Sequence, residues 1–160
     1  MNYLSRLKSI PVLEGMKDED LKALSELVKE HKTPAGEDLI TEGETGSEMY
    51  ILIEGKVDVI KKTIFGDPFV VASMDAGMHC VFGEIAMIDN DKRSATVRAT
   101  SDCVTLSINR KNFDKFCDDR PECGVKLLRL ISMNLARNIR KENDNLRMVY
   151  QALIEEIETG

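Results

Sequence analysis

The sequence of 160 residues has few of the residue types that build metal centres and disulfide frameworks. It contains no tryptophan, only the two histidines His31 and His79, and four cysteines without CxxC spacing. Two distant histidines, even with Cys80 beside one of them, are too few for a metal site, so we expect no bound metal. The cysteines are expected to be reduced thiols of a cytoplasmic protein, with a disulfide pair left open. They are Cys80, Cys103, Cys117 and Cys123.

Long apolar runs and an excess of positive charge are also missing. No stretch approaches the ~20 apolar residues of a membrane span, and residues 1–17 lack the pattern of a signal peptide. The net charge is −6 at pH 7. Nucleic-acid binders usually present a basic surface, so we expect neither a nucleic-acid partner nor a membrane. No nucleophile is paired with a base in the sequence, and we therefore expect that the chain is not an enzyme.

The hydrophobic periodicity divides the chain into three parts that we expect to form one domain over residues 1–160. Residues 1–30 predict N-terminal helices, with Asp18 as an N-cap, and residues 109–160 predict C-terminal helices, with Asn109 as a cap. Between them, residues 31–108 alternate with a period of two and contain many glycine turns, which favours a β-sandwich or barrel. The dipeptide Glu54-Gly55 is typical of a hairpin turn. The candidate strands are 39–40, 49–54, 56–61, 69–74, 96–100 and 104–108.

The most informative segment is residues 81–97, which read VFGEIAMIDNDKRSATV. Gly83 opens a short segment with the pattern of one helical turn, Glu84 follows at once, and Arg93 comes after a polar loop. A helix start offers unpaired N–H groups to an anion, and glycine lets the backbone approach a ligand closely. Arg93 can bind a phosphate through its planar guanidinium, and Glu84 then suits sugar hydroxyls. The segment predicts a ribose-phosphate site, with a surface ion pair between Glu84 and Arg93 as the alternative.

At these residues the chain resembles the phosphate-binding cassette of cyclic nucleotide-binding domains. That family includes the catabolite activator protein and the regulatory subunits of the cyclic-AMP-dependent kinase. The likeness rests on FGEIA followed by RSATV. It implies that Glu84 takes the ribose 2′-hydroxyl and that Arg93 pairs with the cyclic phosphate. It further implies backbone contacts from Gly83, Ile85 and Ala86, a hydroxyl from Ser94 and an amide from Ala95.

The same resemblance covers most of the chain and implies a mainly β fold with flanking helices, a jelly-roll β-barrel with N-terminal helices and a long C-terminal helix. Residues 36–57 share the glycine pattern of the family's front half. The chain departs from the family between Gly77 and Phe82, where the spacing is longer than usual. This extra length bears on the base side of the pocket more than on phosphate binding.

Residues from Pro121 to about Glu158 predict one long helix, with proline well placed in its first turn. Its seam residues recur in alternating steps of four and three, a heptad pattern typical of a coiled coil. The pattern predicts a homodimer, and the alternative is a single amphipathic helix lying on the barrel. The seam comprises Leu128, Ser132, Leu135, Ile139, Glu142, Leu146, Val149 and Leu153.

The resemblance also implies that polar residues near the middle of this helix reach the nucleotide base. Glu142 and Asn143 lie at that level, and we assign the base contact to Asn143 because an amide can both donate and accept a hydrogen bond. The RSA string and these polar residues favour cyclic AMP over cyclic GMP, although Ser94 is compatible with both.

The function expected from these features is a cyclic nucleotide sensor that signals through its C-terminal helix to a dimer or to an effector protein. The alternative is a structural dimerisation domain with an unused or differently occupied pocket. Related transcription factors carry a DNA-binding motif after the long helix, whereas this sequence ends at Gly160. We therefore expect either a separate partner or a fragment of a longer protein.

Overall fold

The computed structural model describes residues 3–10, 13–78, 80–89 and 91–159. Within these ranges the helices are α1 (Leu4–Lys8), α2 (Asp18–Leu27), α3 (Arg110–Asp119) and α4 (Pro121–Thr159). The strands are β1 (Lys29–Thr33), β2 (Asp38–Ile40), β3 (Glu48–Glu54), β4 (Lys56–Lys62), β5 (Pro68–Asp75), β6 (Val81–Phe82), β7 (Thr96–Ala99) and β8 (Cys103–Asn109).

The strands form two antiparallel sheets of four, in the orders β1-β8-β3-β6 and β2-β7-β4-β5. Buried side chains from both sheets meet in one cluster, which comprises Ile40, Leu52, Val57, Cys80, Phe82, Val97, Ala99 and Cys103. The mainly β architecture with helices at both ends confirms the predicted fold class. The sheets are not closed into a barrel, however, because the edge strands of one sheet do not pair with those of the other.

The predicted hairpin at Glu54-Gly55 is wrong, because β3 and β4 belong to different sheets. Gly55 has a φ of 94° and carries the chain from one sheet to the other. A Cβ at this position would collide with the carbonyl oxygen of Asp102 and lie 2.7 Å from the Cys103 sulfur. The tight turn therefore brings two layers together, and the actual hairpin joins β4 to β5.

All six candidate strands are present, but β1 and β6 were not predicted from the pattern. The β1 sequence KEHKT is polar, and it forms a strand because it pairs along its whole length with β8. The β6 strand has only two residues and pairs with β3. Before β6, Ala76–Met78 form a 3₁₀ turn in the stretch with extra length, where His79 lies outside the described residues.

The helix ends follow local sequence signals with one exception. The side chain of Asn109 accepts a hydrogen bond from the Asn112 amide at 2.9 Å, which confirms its predicted role as the cap of α3. The long helix begins at Pro121, as predicted. Asp18 is not the N-cap of α2: Lys17 occupies that position, and Asp18 is the first helical residue. Its charge still suits the positive end of the helix dipole.

The larger of the two core clusters lies where the helices pack on the β1-β8-β3-β6 sheet. It unites buried residues from both ends of the chain with three strands and with the segment after β6. Its largest fully buried members include Leu7, Ile10, Leu13, Met49, Leu106, Phe116 and Ile131. The first half of α4 is thus held against the body. Within the described residues, no helix has both the length and the apolar composition that a membrane span needs.

Candidate functional site

The turn that enters the cassette, residues 81–97, depends on Gly83. This residue has a φ of 73°, in the left-handed region that favours glycine, and it immediately precedes the 3₁₀ helix Glu84–Met87. A Cβ on Gly83 would lie 2.7 Å from Nη1 of Arg93 and 2.9 Å from the carbonyl oxygen of Glu48. Glycine is therefore required both by the backbone conformation and by the close approach of the arginine.

Glu84 is almost completely buried, with 4% of its surface exposed. Its Oε1 accepts a hydrogen bond from Nδ2 of Asn134 at 2.8 Å. Nδ2 of Asn138, one turn further along α4, lies 3.4 Å from the same oxygen. The Asn134 amide also donates to the carbonyl oxygen of Val81 at 3.0 Å. The carboxylate that was predicted to bind ribose is thus directly attached to the long helix.

Burial raises the pKa of the Glu84 carboxyl because it disfavours the charged form. The hydrogen bonds from its own backbone amide and from Asn134, together with the charge of Arg93, act in the opposite direction but are weaker. A buried carboxylate that retains free acceptor capacity gains when a ligand hydroxyl donates to it. The environment of Glu84 therefore suits a hydroxyl donor.

Arg93 is half-buried, and backbone oxygens hold its guanidinium in place. Its Nη2 donates to the carbonyl oxygen of Glu48 at 2.8 Å, and its Nη1 donates to that of Gly83 at 3.2 Å. The guanidinium also packs on Gly46, where a Cβ would lie only 2.5 Å from Nε. These contacts fix the guanidinium while leaving part of its five-donor fork available.

The surface ion pair between Glu84 and Arg93 is wrong. Among the described residues the ion pairs involve other side chains, and Glu84 is hydrogen-bonded to α4 whereas Arg93 is hydrogen-bonded to backbone carbonyls. The two side chains are separately positioned, as a site with two different ligand groups requires.

The cassette, β4, β5 and α4 line a cavity of about 500 Å³. Val59, Val71 and Met74 line its strand side, and Leu135 and Ile139 line its helix side. All the predicted site residues line this one cavity: Gly83, Glu84, Ile85, Ala86, Arg93, Ser94, Ala95 and Asn143. A larger concavity of about 1120 Å³, between residues 41–48 and α3, contains Arg93 but not Glu84. The smaller cavity is therefore the one that brings the two groups together.

The chain is similar to a known family of proteins. The family model of the cyclic nucleotide-binding domain matches residues 30–120. The chain belongs to this family. The match contains all of β1 except Lys29, the strands β2 to β8, the whole cassette and α3 up to its end.

Two relatives of this cyclic nucleotide-binding domain are larger proteins that it matches over only part of their length. It is 29% identical over 135 residues to a CRP-like cAMP-activated global transcriptional regulator of Mycobacterium tuberculosis, a match that covers 84% of this chain and 58% of the regulator. It is 32% identical over 115 residues to human cGMP-dependent protein kinase 2, a match that covers 71% of this chain and 15% of the kinase. The chain thus spans little more than half of the regulator and a small part of the kinase.

A solved structure has the same fold. A cyclic nucleotide-binding domain from Methylobacillus flagellatus superposes with a TM-score of 0.79 at 24% sequence identity, over 91% of this chain and 84% of that one. This likeness confirms the jelly-roll-like arrangement of strands, the N-terminal helices and the long C-terminal helix.

Several residues that shape the site of this cyclic nucleotide-binding domain were missed by sequence reasoning. Asn134 and Asn138 contact Glu84, and Gly46 and Glu48 position Arg93. The sequence could have revealed Asn134, because its helical spacing continues the buried stripe of α4 that includes Leu127 and Ile131. A polar residue in such a stripe needs a buried partner. Gly46 belongs to the glycine pattern of residues 36–57, but that pattern gave it no role in the site, and Glu48 contributes a backbone oxygen that no side-chain pattern marks.

Arg110 supports the end of the cassette helix from α3. Its Nη1 donates to the carbonyl oxygen of Asp89 at 3.0 Å, and its Nη2 lies 3.3 Å from that of Ile88. Its backbone amide donates to the carbonyl oxygen of Ser47 at 2.8 Å. One residue at the start of α3 therefore ties the cassette to the loop that orients Arg93.

Among the described residues, the four cysteines and His31 provide no other candidate site. All four cysteines are free, and burial raises the pKa of each thiol. In the described part of the chain, His, Cys, Asp and Glu side chains do not form a group of three or more that could hold a metal ion. His31 is bound to Ser107, with 2.8 Å between Nε2 and Oγ.

Proposed function

We propose that this domain senses a cyclic nucleotide bound in the cavity between the cassette and α4. Glu84 accepts a hydrogen bond from the ribose 2′-hydroxyl, and Arg93 pairs with the cyclic phosphate. The observation that carries the proposal is that one cavity contains a buried carboxylate and a guanidinium that are not paired with each other. A ribose phosphate supplies a hydroxyl for the first and an anion for the second.

The phosphate end combines charge with backbone and hydroxyl donors. Arg93 has five N–H donors, and the contacts with Gly83 and Glu48 leave others for phosphate oxygens. Ser94 is exposed at the cavity and is proposed to supply a hydroxyl, while Ile85 and Ala95 line the cavity and are proposed to contribute backbone amides. The Ala86 amide donates to the Gly83 carbonyl at 3.2 Å, so Ala86 contributes to the cradle mainly by fixing the turn.

The base end is proposed to favour cyclic AMP. Apolar side chains from β4, β5 and α4 can cover both faces of a purine, and Asn143 lies at the cavity with its amide available to the base edge. The names of the relatives point to cyclic AMP in one case and cyclic GMP in the other. The preference therefore rests on the residues of this chain, the Arg93-Ser94-Ala95 string and the polar positions of α4.

The signal is proposed to leave through α4. Its beginning packs on the core, whereas from position 139 onwards the helix presents a row of exposed apolar side chains: Ile139, Leu146, Val149, Leu153 and Ile157. Such a row fits a second copy of the helix, so we propose a homodimer. In this dimer the helix pair reorients when the ligand draws α4 towards the base. Alternatively, an effector protein binds the same surface of α4. The four free thiols fit the reducing cytoplasm.

In this proposal the chain binds its ligand and does not catalyse a reaction. It needs no metal, no nucleic acid and no membrane. The alternative function is a dimerisation domain whose pocket is unused or differently occupied. One observation favours it: Oε1 of Glu84 already accepts hydrogen bonds from side-chain amides of α4.

Isothermal titration calorimetry with cyclic AMP and cyclic GMP, together with sedimentation, separates these functions. A sensor binds at least one nucleotide with one site per chain, whereas the alternative predicts a dimer that binds neither. Asn143→Ala should lower the ratio of cyclic AMP to cyclic GMP affinity, with Asn145→Ala as the matched control on the same helix outside the cavity lining. Cyclic GMP binding as tight as cyclic AMP would disprove the base assignment.

Hydrogen exchange tests the proposed movement of the helix. Residues 135–149 should gain protection when nucleotide is added, because a ligand shifts a conformational equilibrium only through contacts that differ between the two states. Unchanged exchange with saturating ligand would leave the nucleotide site in place but rule out the movement of α4.

A further inference from the structure

Asn134 has an unusual position for a polar residue. It lies on the buried face of α4, where the preceding members of the stripe are Cys123, Leu127 and Ile131, and only 8% of its surface is exposed. A buried amide without partners is costly, so its hydrogen bonds decide what this position does.

The Asn134 amide joins the beginning and the centre of the cassette. Nδ2 donates to the carbonyl oxygen of Val81 in β6 at 3.0 Å and to Oε1 of Glu84 at 2.8 Å. Asn138 approaches the same Oε1 from the next turn at 3.4 Å. Both amides of α4 are therefore directed at one oxygen of the carboxylate.

We infer that Asn134 is a positioning residue for ribose recognition: it holds Glu84 through Oε1 so that the other carboxylate oxygen is presented to the 2′-hydroxyl. This inference rests on the proposed function, because it concerns the sugar end of the same cavity. It adds that the sugar contact and the attachment of α4 share one carboxylate. The helix is thereby coupled to the ribose as well as to the base.

The geometry explains why this role needs an amide at position 134. A carboxylate offers about four lone-pair positions, so Oε1 can serve the helix while the second oxygen serves the ligand. A hydrogen bond to a charged group restricts rotation of that group and offsets part of its burial cost. Without the amide, the Glu84 side chain loses its fixed orientation. The preference for ligands with a 2′-hydroxyl over 2′-deoxy ligands should therefore decrease.

Binding of ribose and deoxyribose ligands tests the inference. Wild type, Asn134→Leu and the control Asn145→Leu are titrated with cyclic AMP and with 2′-deoxy cyclic AMP. We expect Asn134→Leu to lose about tenfold in affinity for cyclic AMP, the effect of one hydrogen bond to a charged group, and less than twofold for the deoxy analogue. Equal losses for both ligands would mean that Asn134 only maintains the cavity, which would overturn the inference.

A measurement without ligand separates failure of this inference from failure of the proposed function. Hydrogen exchange of residues 127–138 is compared in wild type, Asn134→Leu, Glu84→Ala and the double variant. Faster exchange of similar size in both single variants, with no further increase in the double variant, supports the shared attachment even if wild type binds no nucleotide. Unchanged exchange in Glu84→Ala, or effects that simply add, would show that the helix is held elsewhere and would overturn the inference. If Asn134→Leu does not fold, Asn134→Ala and Glu84→Ala provide the same comparison.

Discussion

The contact between Gly46 and Arg93 gives a sharp test of the phosphate site. In Gly46→Ala the new Cβ would lie 2.5 Å from Nε, 2.6 Å from Nη2 and 2.8 Å from Cζ of Arg93. Ordinary van der Waals separation is roughly 3.5 Å, so the guanidinium must move by about 1 Å. Such a shift disrupts its hydrogen bonds to Gly83 and Glu48, which are already at 3.2 and 2.8 Å.

The expected result is a loss of binding with little loss of stability. The φ of Gly46 lies outside the left-handed region, so alanine causes no backbone strain there. The clash involves the end of a flexible, half-buried side chain, and we expect the free energy of unfolding to change by less than about 1 kcal/mol. Misplacing a charged hydrogen-bond donor costs about 1.5–3 kcal/mol of binding, or roughly tenfold to a hundredfold in affinity.

Calorimetry with cyclic AMP measures the affinity, and urea unfolding measures the stability. Gly36→Ala is the matched control, because Gly36 has a φ of 91° and no heavy atom lies within 4 Å of its added Cβ. It should lower stability by about 1 kcal/mol through backbone strain and leave affinity unchanged. If Gly46→Ala retains wild-type affinity, the observed position of Arg93 is not the one that binds phosphate.

Three other outcomes follow from the same structure. Arg93→Lys keeps the charge but loses the planar fork, so calorimetry should show about tenfold to hundredfold weaker binding, and unchanged affinity would remove Arg93 from the site. Leu146 and Val149 are both about half exposed on α4, and replacing them with aspartate would bury charges in the proposed interface, so sedimentation should show a monomer instead of a dimer. A wild-type protein that is monomeric at tens of micromolar, roughly a thousandfold above a nanomolar Kd, would contradict the proposed interface. Burial raises the pKa of Glu84, so between the ordinary value of 4.5 and the raised value the folded protein binds more protons than the unfolded chain. Over that range this group makes the free energy of unfolding fall as pH rises. Urea unfolding of Glu84→Gln should therefore show a gain over wild type that grows from acid to neutral pH, and a difference independent of pH would refute the burial argument.

Much of this fold was predictable because its signals are local. Six of the eight strands (β2 to β5, β7 and β8) were predicted from the period of two in residues 31–108, Asn109 caps α3 as its type predicts, and Pro121 begins α4. The cassette was found because its glycine, glutamate and arginine lie close together in the sequence. All the residues proposed from it line one cavity.

The rest depended on contacts between distant parts of the chain. Gly55 has the sequence of a hairpin turn, yet it joins two sheets, because strand partners are decided by tertiary packing. The attachment of Glu84 to Asn134 links positions 50 residues apart, and the guanidinium of Arg93 reaches the carbonyl oxygen of Glu48 across 45. Neither pair has a spacing pattern that could reveal it.

The buried side of the 3₁₀ helix Glu84–Met87 limits how the cassette can move in the proposed sensor. Ala86 and Met87 are members of the larger core cluster, together with Phe113 and Phe116 of α3. Protein interiors are packed as densely as organic crystals, so these side chains have few alternative arrangements. In the proposed sensor, a ligand that displaces the cassette would therefore move it from one packing arrangement to another without stable positions between them. Each molecule should respond to its ligand in an all-or-none manner, and a graded dose response would then reflect the fraction of molecules that have switched.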